Sequence, residues 1–174
     1  CGGEWRRFLW VGDSGSAGAA CVLFIGQYEH TIDAKGRLAI PAEIRARWRA
    51  EEDGGAWYAM PWIGGVIRLF TEAEFQKLAE PVMPRTLALG EDEAALKRLL
   101  FGRSARLETD SAGRIRLPES MLKAVGLDRE VVLIGCGDCL EVANRSDWQA
   151  KEQDDLEQLA SLLHRMEGNR KAAS

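Results

Sequence analysis

The chain has 174 residues, of which 46% are hydrophobic and 29% charged, a balance that suits one globular domain or two small ones with a core of their own. Its uncharged stretches are too short or too glycine-rich to span a bilayer. A net charge of −4 argues against a uniformly basic nucleic-acid binder.

The charge is nevertheless unevenly placed. Between His30 and Arg49 stand Lys35, Arg37, Arg45, Arg47 and Arg49 against only Asp33 and Glu43, and Arg103, Arg106, Arg114, Arg116 and Lys123 form a second basic stretch. The acids gather instead at Glu51–Asp53, Glu91–Glu93 and Asp147–Glu157. An acidic protein with two local basic stretches can bind DNA if assembly puts them on one surface. The cysteines, Cys1, Cys21, Cys136 and Cys139, have no disulfide-framework spacing and indicate a reducing cytosol.

Residues 1–22 are glycine-rich, with Trp5, Phe8 and Trp10 in no clear period; they read as a disordered leader or as sequence outside the mature protein. From Phe24 the pattern becomes ordered. Tyr28, His30 and Ile32 alternate into an Asp33–Gly36 turn and Leu38 and Ile40 resume the alternation, which predicts a β-hairpin. Pro41 opens a short helix with Ile44 and Trp48 on one face. Trp57–Met60 and Val66–Phe70 read as strands around a Gly64-Gly65 turn, and Thr71 caps a helix carrying Phe75 and Leu78. Pro81–Gly90 is a candidate linker. Glu91–Phe101 reads as a helix with Leu96, Leu99 and Leu100 on its buried side. A strand, a turn at Asp110–Gly113, a further strand and a helix from Pro118 to a Gly126 cap follow. Val131–Ile134 and Cys139–Val142 read as strands. The segment Ser146–Gly168 reads as one longer helix whose stripe of Leu156, Leu159, Leu163 and Met166 packs either on the chain's own core or on a neighbouring subunit.

One phrase occurs twice. Asp33-Ala34-Lys35-Gly36-Arg37-Leu38-Ala39-Ile40-Pro41 returns 77 residues later as Asp110-Ser111-Ala112-Gly113-Arg114-Ile115-Arg116-Leu117-Pro118, the mark of a duplicated unit. Gly64, Ile67, Leu69 and Phe75 likewise answer Gly137, Leu140, Val142 and Trp148, so the first unit carries four extra loop residues. In each turn the aspartate can accept bonds from backbone N–H groups two or three residues on, the glycine supplies a positive φ, and the arginine is a planar fork suited to phosphate or a guanine edge. The plainer reading is an Arg37–Asp33 pair across the turn, worth about 0–1 kcal/mol if exposed. Two copies, each followed by further arginines, favour anion binding.

Nothing comparable points to catalysis. His30 lies in an alternating strand and His164 in the last helix, with no nucleophile placed beside either. Acidic runs such as Glu91-Asp92-Glu93 and Asp154-Asp155 read as solvated helix faces. Cys136-Gly137-Asp138-Cys139 is half a zinc site with no partner at ligand spacing, and it falls between strands rather than at a helix N-terminus. The reading preferred for it is an inert, buried pair.

The stretch from Phe24 through Gly26-Gln27-Tyr28 to Asp33-Ala34-Lys35-Gly36-Arg37 resembles the opening of the MraZ family, and Val131–Gly135 followed by Gly137-Asp138 resembles its later part. The likeness spans Phe24 to Trp148. It implies bacterial transcription regulators at the head of the division and cell-wall gene cluster. The implied fold is α+β: tandem duplicated SpoVT/AbrB-like swapped-hairpin β-barrel units with flanking helices. Such chains form rings that bind tandem direct repeats in promoter DNA. The family's DNA-contacting positions fall on Lys35, Arg37 and Arg114; Ala112 stands where a second lysine would, so the second unit is expected to bind more weakly or chiefly to support the barrel, with Arg116 the candidate to compensate. Asp33, Gly36, Asp110 and Gly113 build the turns. The implied layout is a leader at 1–22, a first unit at 23–80, a linker and helix at 81–102, a second unit at 103–148, and a helix and tail at 149–174. Leu23 stands where family members begin with Met, so a non-standard start there would leave 1–22 untranslated.

These readings together predict a cytoplasmic, nucleoid-associated repressor of its own operon. Its partners would be double-stranded promoter DNA and further copies of itself in a ring, with no enzymatic activity, cofactor, metal, small-molecule substrate or membrane contact. The alternative is an AbrB-like protein-interaction module without specific DNA binding, with Arg37 pairing to a partner's carboxylate.

Overall fold

The computed structural model describes residues 23–80 and 90–151, together with 158, 159, 161 and 165. The expected leader, linker residues 81–89 and most of the expected C-terminal helix, with Leu156, Leu163 and Met166, lie outside the described residues. The fold is α+β. Eight strands are present among the described residues: β1 (Gln27–Thr31), β2 (Arg37–Ala39), β3 (Trp57–Trp62), β4 (Val66–Thr71), β5 (Ala105–Leu107), β6 (Arg114–Arg116), β7 (Glu130–Gly135) and β8 (Leu140–Asn144). Between them lie α1 (Ala42–Arg47), α2 (Ala50–Asp53), α3 (Glu72–Ala79), α4 (Glu91–Gly102) and α5 (Glu119–Val125).

The local signals act as their chemistry requires. Thr71 Oγ1 accepts from the Glu74 N–H at 3.2 Å at the start of α3. At the end of α5, Gly126 takes a left-handed φ of 68° and Leu127 N–H donates back to Leu122 O at 3.0 Å, the six-to-one bond of a glycine-capped helix. Gly64 and Gly65, both at positive φ, turn β3 into β4.

The expected β1–β2 hairpin is not formed. Its turn closes, with Gly36 N–H donating to Asp33 O at 2.9 Å and Asp33 N–H to Arg37 O at 3.0 Å, but the strands then part. β1 pairs antiparallel with β7, and β2 pairs antiparallel with β6. Alternation identifies a strand's inner face without naming its neighbour. The neighbour is chosen by burial: β7 offers four consecutive buried residues, Val131 to Ile134.

The result is an open six-stranded sheet in the order β1-β7-β8-β4-β3-β5 and a two-stranded ribbon of β2 and β6. The order is symmetric about the β8–β4 junction. β1 of the first half joins the β7–β8 hairpin of the second, and β5 of the second joins the β3–β4 hairpin of the first. At the junction Arg68 lies opposite Glu141 and pairs with it at 2.7 Å, its guanidinium 4.5 Å over the Trp62 ring. The two residues occupy equivalent places in the halves, so a single chain can hold opposite charges where two identical subunits would set like against like.

The core is shared between the halves. Trp57 is fully buried against Phe24 and Trp48, with ring centroids 5.7 and 5.4 Å away, amid Leu38, Ile40, Ile67, Ile115, Leu117 and Leu133. The second expectation to fail is the buried face of α4. The helix has no buried residue; Leu96 and Leu99 are exposed, and Leu100 alone of the three packs on the cluster of Met60, Phe70 and Cys139.

Candidate nucleic-acid interface

Each duplicated turn is built by its aspartate. In the first, Asp33 Oδ1 accepts from the backbone N–H groups of Lys35 at 2.8 Å and Arg37 at 2.9 Å, and Oδ2 accepts from Arg37 Nε at 2.7 Å. In the second, Asp110 Oδ1 accepts from Ala112 N–H at 3.0 Å and Arg114 N–H at 2.9 Å, and Oδ2 from Arg114 Nε at 2.9 Å. The bonds reach residues two and four positions on. The arginine backbone N–H, with its guanidinium and the Lys35 N–H, holds the Asp33 carboxyl down at about 2. Asp110 is held low chiefly by the Arg114 guanidinium, which its carboxylate in turn makes more basic.

Gly36 and Gly113 both have φ of 75°, where a side chain is strained. Each turn is fastened to the other half: Leu117 N–H donates to Gly36 O at 2.8 Å, and Ile40 N–H donates to Gly113 O at 3.0 Å. A side chain on Gly36 would have its Cβ only 2.9 Å from Leu117 O.

The ribbon then sets the facing of the cations. Arg37 lies opposite Arg116, Leu38 opposite Ile115, and Ala39 opposite Arg114. Leu38 and Ile115 are fully buried, so the period of two turns Arg37, Arg114 and Arg116 outward together. Lys35 is exposed at the first turn. Arg37, Arg114 and Arg116 thus share one face of the ribbon, and Lys35 stands at the first turn, lining the same cleft as Arg116, with Asp33 and Asp110 as the motifs' own acids. The facing of Arg116, undecided by its strand position alone, is outward, and among the described residues its side chain has no ion-pair partner. The Asp33–Arg37 pair of the plainer reading is present in both copies. It uses Nε of Arg37 and leaves the Nη edge without a hydrogen bond among the described residues. An open cleft of about 660 Å³ beside the first turn is lined by Lys35, Arg116 and Arg129 together with Asp33, Glu119 and Asp128.

A model of the family described as "MraZ protein, putative antitoxin-like" matches residues 100–168. Among curated relatives named Transcriptional regulator MraZ, that of Heliobacterium modesticaldum is 34% identical over 128 residues, covering 72% of this chain and 84% of the relative. That of Mycoplasmoides gallisepticum is 31% identical over 145 residues, covering 83% and 98%. That of Syntrophomonas wolfei is 32% identical over 146 residues, covering 81% and 96%. The chain belongs to the MraZ family.

In this MraZ chain a further cation reaches the ribbon that its spacing did not single out. Arg45 of α1 lays its guanidinium against the second turn, where a Cβ on Gly113 would come within 2.6 Å of it, and its Nε donates to Ile40 O at 3.1 Å. The signal was its place in the basic stretch; which turn it covers follows from the antiparallel ribbon. The other candidates lie elsewhere. Cys136 and Cys139 flank the β7–β8 turn in contact through their thiols, but Cys136 is exposed, contrary to the buried pair expected, and Cys139 alone is buried. No cluster of three or more His, Cys, Asp or Glu residues suited to a metal occurs among the described residues. His30 is half-buried on β1 and its pKa is lowered by burial; His164 lies outside the described residues. No helix among the described residues is long and apolar enough to cross a membrane.

Proposed function

We propose that this chain is a DNA-binding transcription regulator that grips the duplex with the outward face of the β2–β6 ribbon. Arg37, Arg114 and Arg116 would engage phosphates or guanine edges and Lys35 a phosphate. The observation that carries the reading is the Arg37–Arg116 opposition. Like charges directly across a strand pair are unfavourable, and an approaching polyanion turns that cost into binding. The shared name of its relatives, Transcriptional regulator MraZ, supports the same assignment.

The finer reading goes with it. The exchanged strands β1 and β5 are the family's swapped-hairpin units, and the tandem halves of 23–80 and 103–148 are its duplicated domain. Several chains in a ring engage tandem direct repeats upstream of their own division and cell-wall operon and repress it in the cytoplasm, at the nucleoid. Individually weak contacts gain affinity through avidity.

The test is fluorescence anisotropy with duplex from upstream of the chain's own gene against scrambled duplex, across a salt series. The Arg37→Ala protein is run alongside, with assembly state followed by light scattering. Selective binding lost in an intact Arg37→Ala oligomer supports the reading. Equal, weak binding to both duplexes, unchanged by the substitution, overturns it in favour of a protein-interaction module.

A further inference from the structure

The two turns are unequal in sequence, and the fold makes up the difference. The first carries Lys35; the second has Ala112 at the same place. Seventy-seven residues separate Arg45 from its counterpart Leu122, and each reaches the turn of the other half. Leu122 Cδ1 would lie 4.0 Å from a Cβ on Gly36, whereas the Arg45 guanidinium lies across Gly113. So the turn that has its own lysine is covered by a leucine, and the turn that lacks one is covered by an arginine.

We infer that Arg45 is the missing phosphate-binding cation of the second turn, supplied across the pseudo-symmetric interface by the first half. The inference rests on the DNA-binding reading of the ribbon and extends it to a residue outside both repeated phrases.

The geometry suits the task. Arg45 is exposed, yet its guanidinium is held in place. Ile40 N–H donates to Gly113 O, and Ile40 O accepts from Arg45 Nε, so one backbone residue ties the guanidinium to the turn. An arginine placed only to brace the turn would pair with Asp110. Instead Asp110 is taken up by Arg114, and among the described residues Nε to Ile40 O is the only hydrogen bond of the Arg45 side chain. The two Nη groups make no hydrogen bond among the described residues and lie over the turn at Gly113. A fork with one edge anchored and the other open is preorganised for a phosphate oxygen. The glycine is required twice over, by its φ and because any side chain there would displace the guanidinium.

The test compares four proteins with wild type in the same anisotropy assay: Arg37→Ala, Arg45→Leu, Ala112→Lys and the Arg45→Leu/Ala112→Lys double variant. Thermal melts check that each is folded. Loss of one phosphate contact lowers the slope of log K against log salt by about 0.9, which is about 3.5-fold in K between 0.05 and 0.2 M salt. The expected result is that slope change in Arg45→Leu and its recovery in the double variant, where the lysine is restored within the turn itself. If Arg37→Ala loses binding while Arg45→Leu keeps the wild-type slope, the inference is overturned and the DNA reading stands. A slope lost in Arg45→Leu that the added lysine does not recover also overturns it, because the arginine then acts through the turn's shape. If Arg37→Ala binds as wild type does, the DNA reading itself has failed and Arg45 falls with it.

Discussion

Arg116→Gln separates a strained binding surface from a structural one, because the two make opposite predictions about stability. Arg116 stands directly across from Arg37 with no ion-pair partner among the described residues; opposed residues have Cβ atoms about 5 Å apart, and two like-charged heads splaying from there are taken to stand roughly 7 Å apart. At the dielectric of water that repulsion is about 0.6 kcal/mol. Screening at 0.15 M salt reduces it to about 0.25 kcal/mol, and Asp33 beside Arg37 reduces it further. Arg116→Gln is therefore expected to leave the fold intact or raise Tm by up to roughly 1 °C at 0.15 M salt, with a larger gain at 0.02 M and none at 0.5 M. In the same preparation DNA affinity falls and the salt slope drops by about 0.9. Scanning fluorimetry at three salt concentrations and anisotropy on the promoter duplex read both effects. A Tm lowered by several degrees would refute the reasoning, since the guanidinium would then be holding the ribbon together. Unchanged DNA binding would remove Arg116 from the interface.

Three further outcomes are expected. Both motif aspartates have folded pKa values below their unfolded ones, Asp33 at about 2, so the unfolded chain binds more protons in acid. Their stabilisation is present above the unfolded carboxylate range, about pH 4, and is lost as pH falls through each folded value, about 2 for Asp33; urea midpoints between pH 5 and 2 should show this, and Asp33→Asn should flatten the profile. Gly36→Ala places a Cβ at positive φ 2.9 Å from Leu117 O; it should cost at least about 1–2 kcal/mol in a urea melt, whereas Ala34→Gly at the exposed neighbouring position should cost well under that. Glu141→Ala removes the carboxylate from Arg68 at the central junction, where both side chains are at least two-thirds buried. A loss of about 1–3 kcal/mol is expected by chemical denaturation, with Glu141→Gln recovering part of it.

What could be read directly along the chain was whatever is decided within a few residues. The Asp33 and Asp110 turns, the Thr71 cap, the Gly126 cap and the Gly64-Gly65 turn all depend on bonds spanning at most about five positions, so their residue types suffice. The duplication was legible for the same reason, because each copy needs the same local chemistry at the same places. Tertiary structure alone decided which strands meet. β1 and β2 alternate as a hairpin would, yet the apolar β7 and the short β6 claim them, because apolar burial is not directional and any strand of matching face can supply it. From that pairing everything at the candidate site follows: Arg116 faces outward opposite Arg37, both turns come to the two ends of one ribbon, and Arg45 arrives over a turn 65 residues and more beyond it in the chain. The leucines of α4 make the converse point. Their spacing marks an apolar stripe, but what covers a stripe is set by what the rest of the fold brings to it.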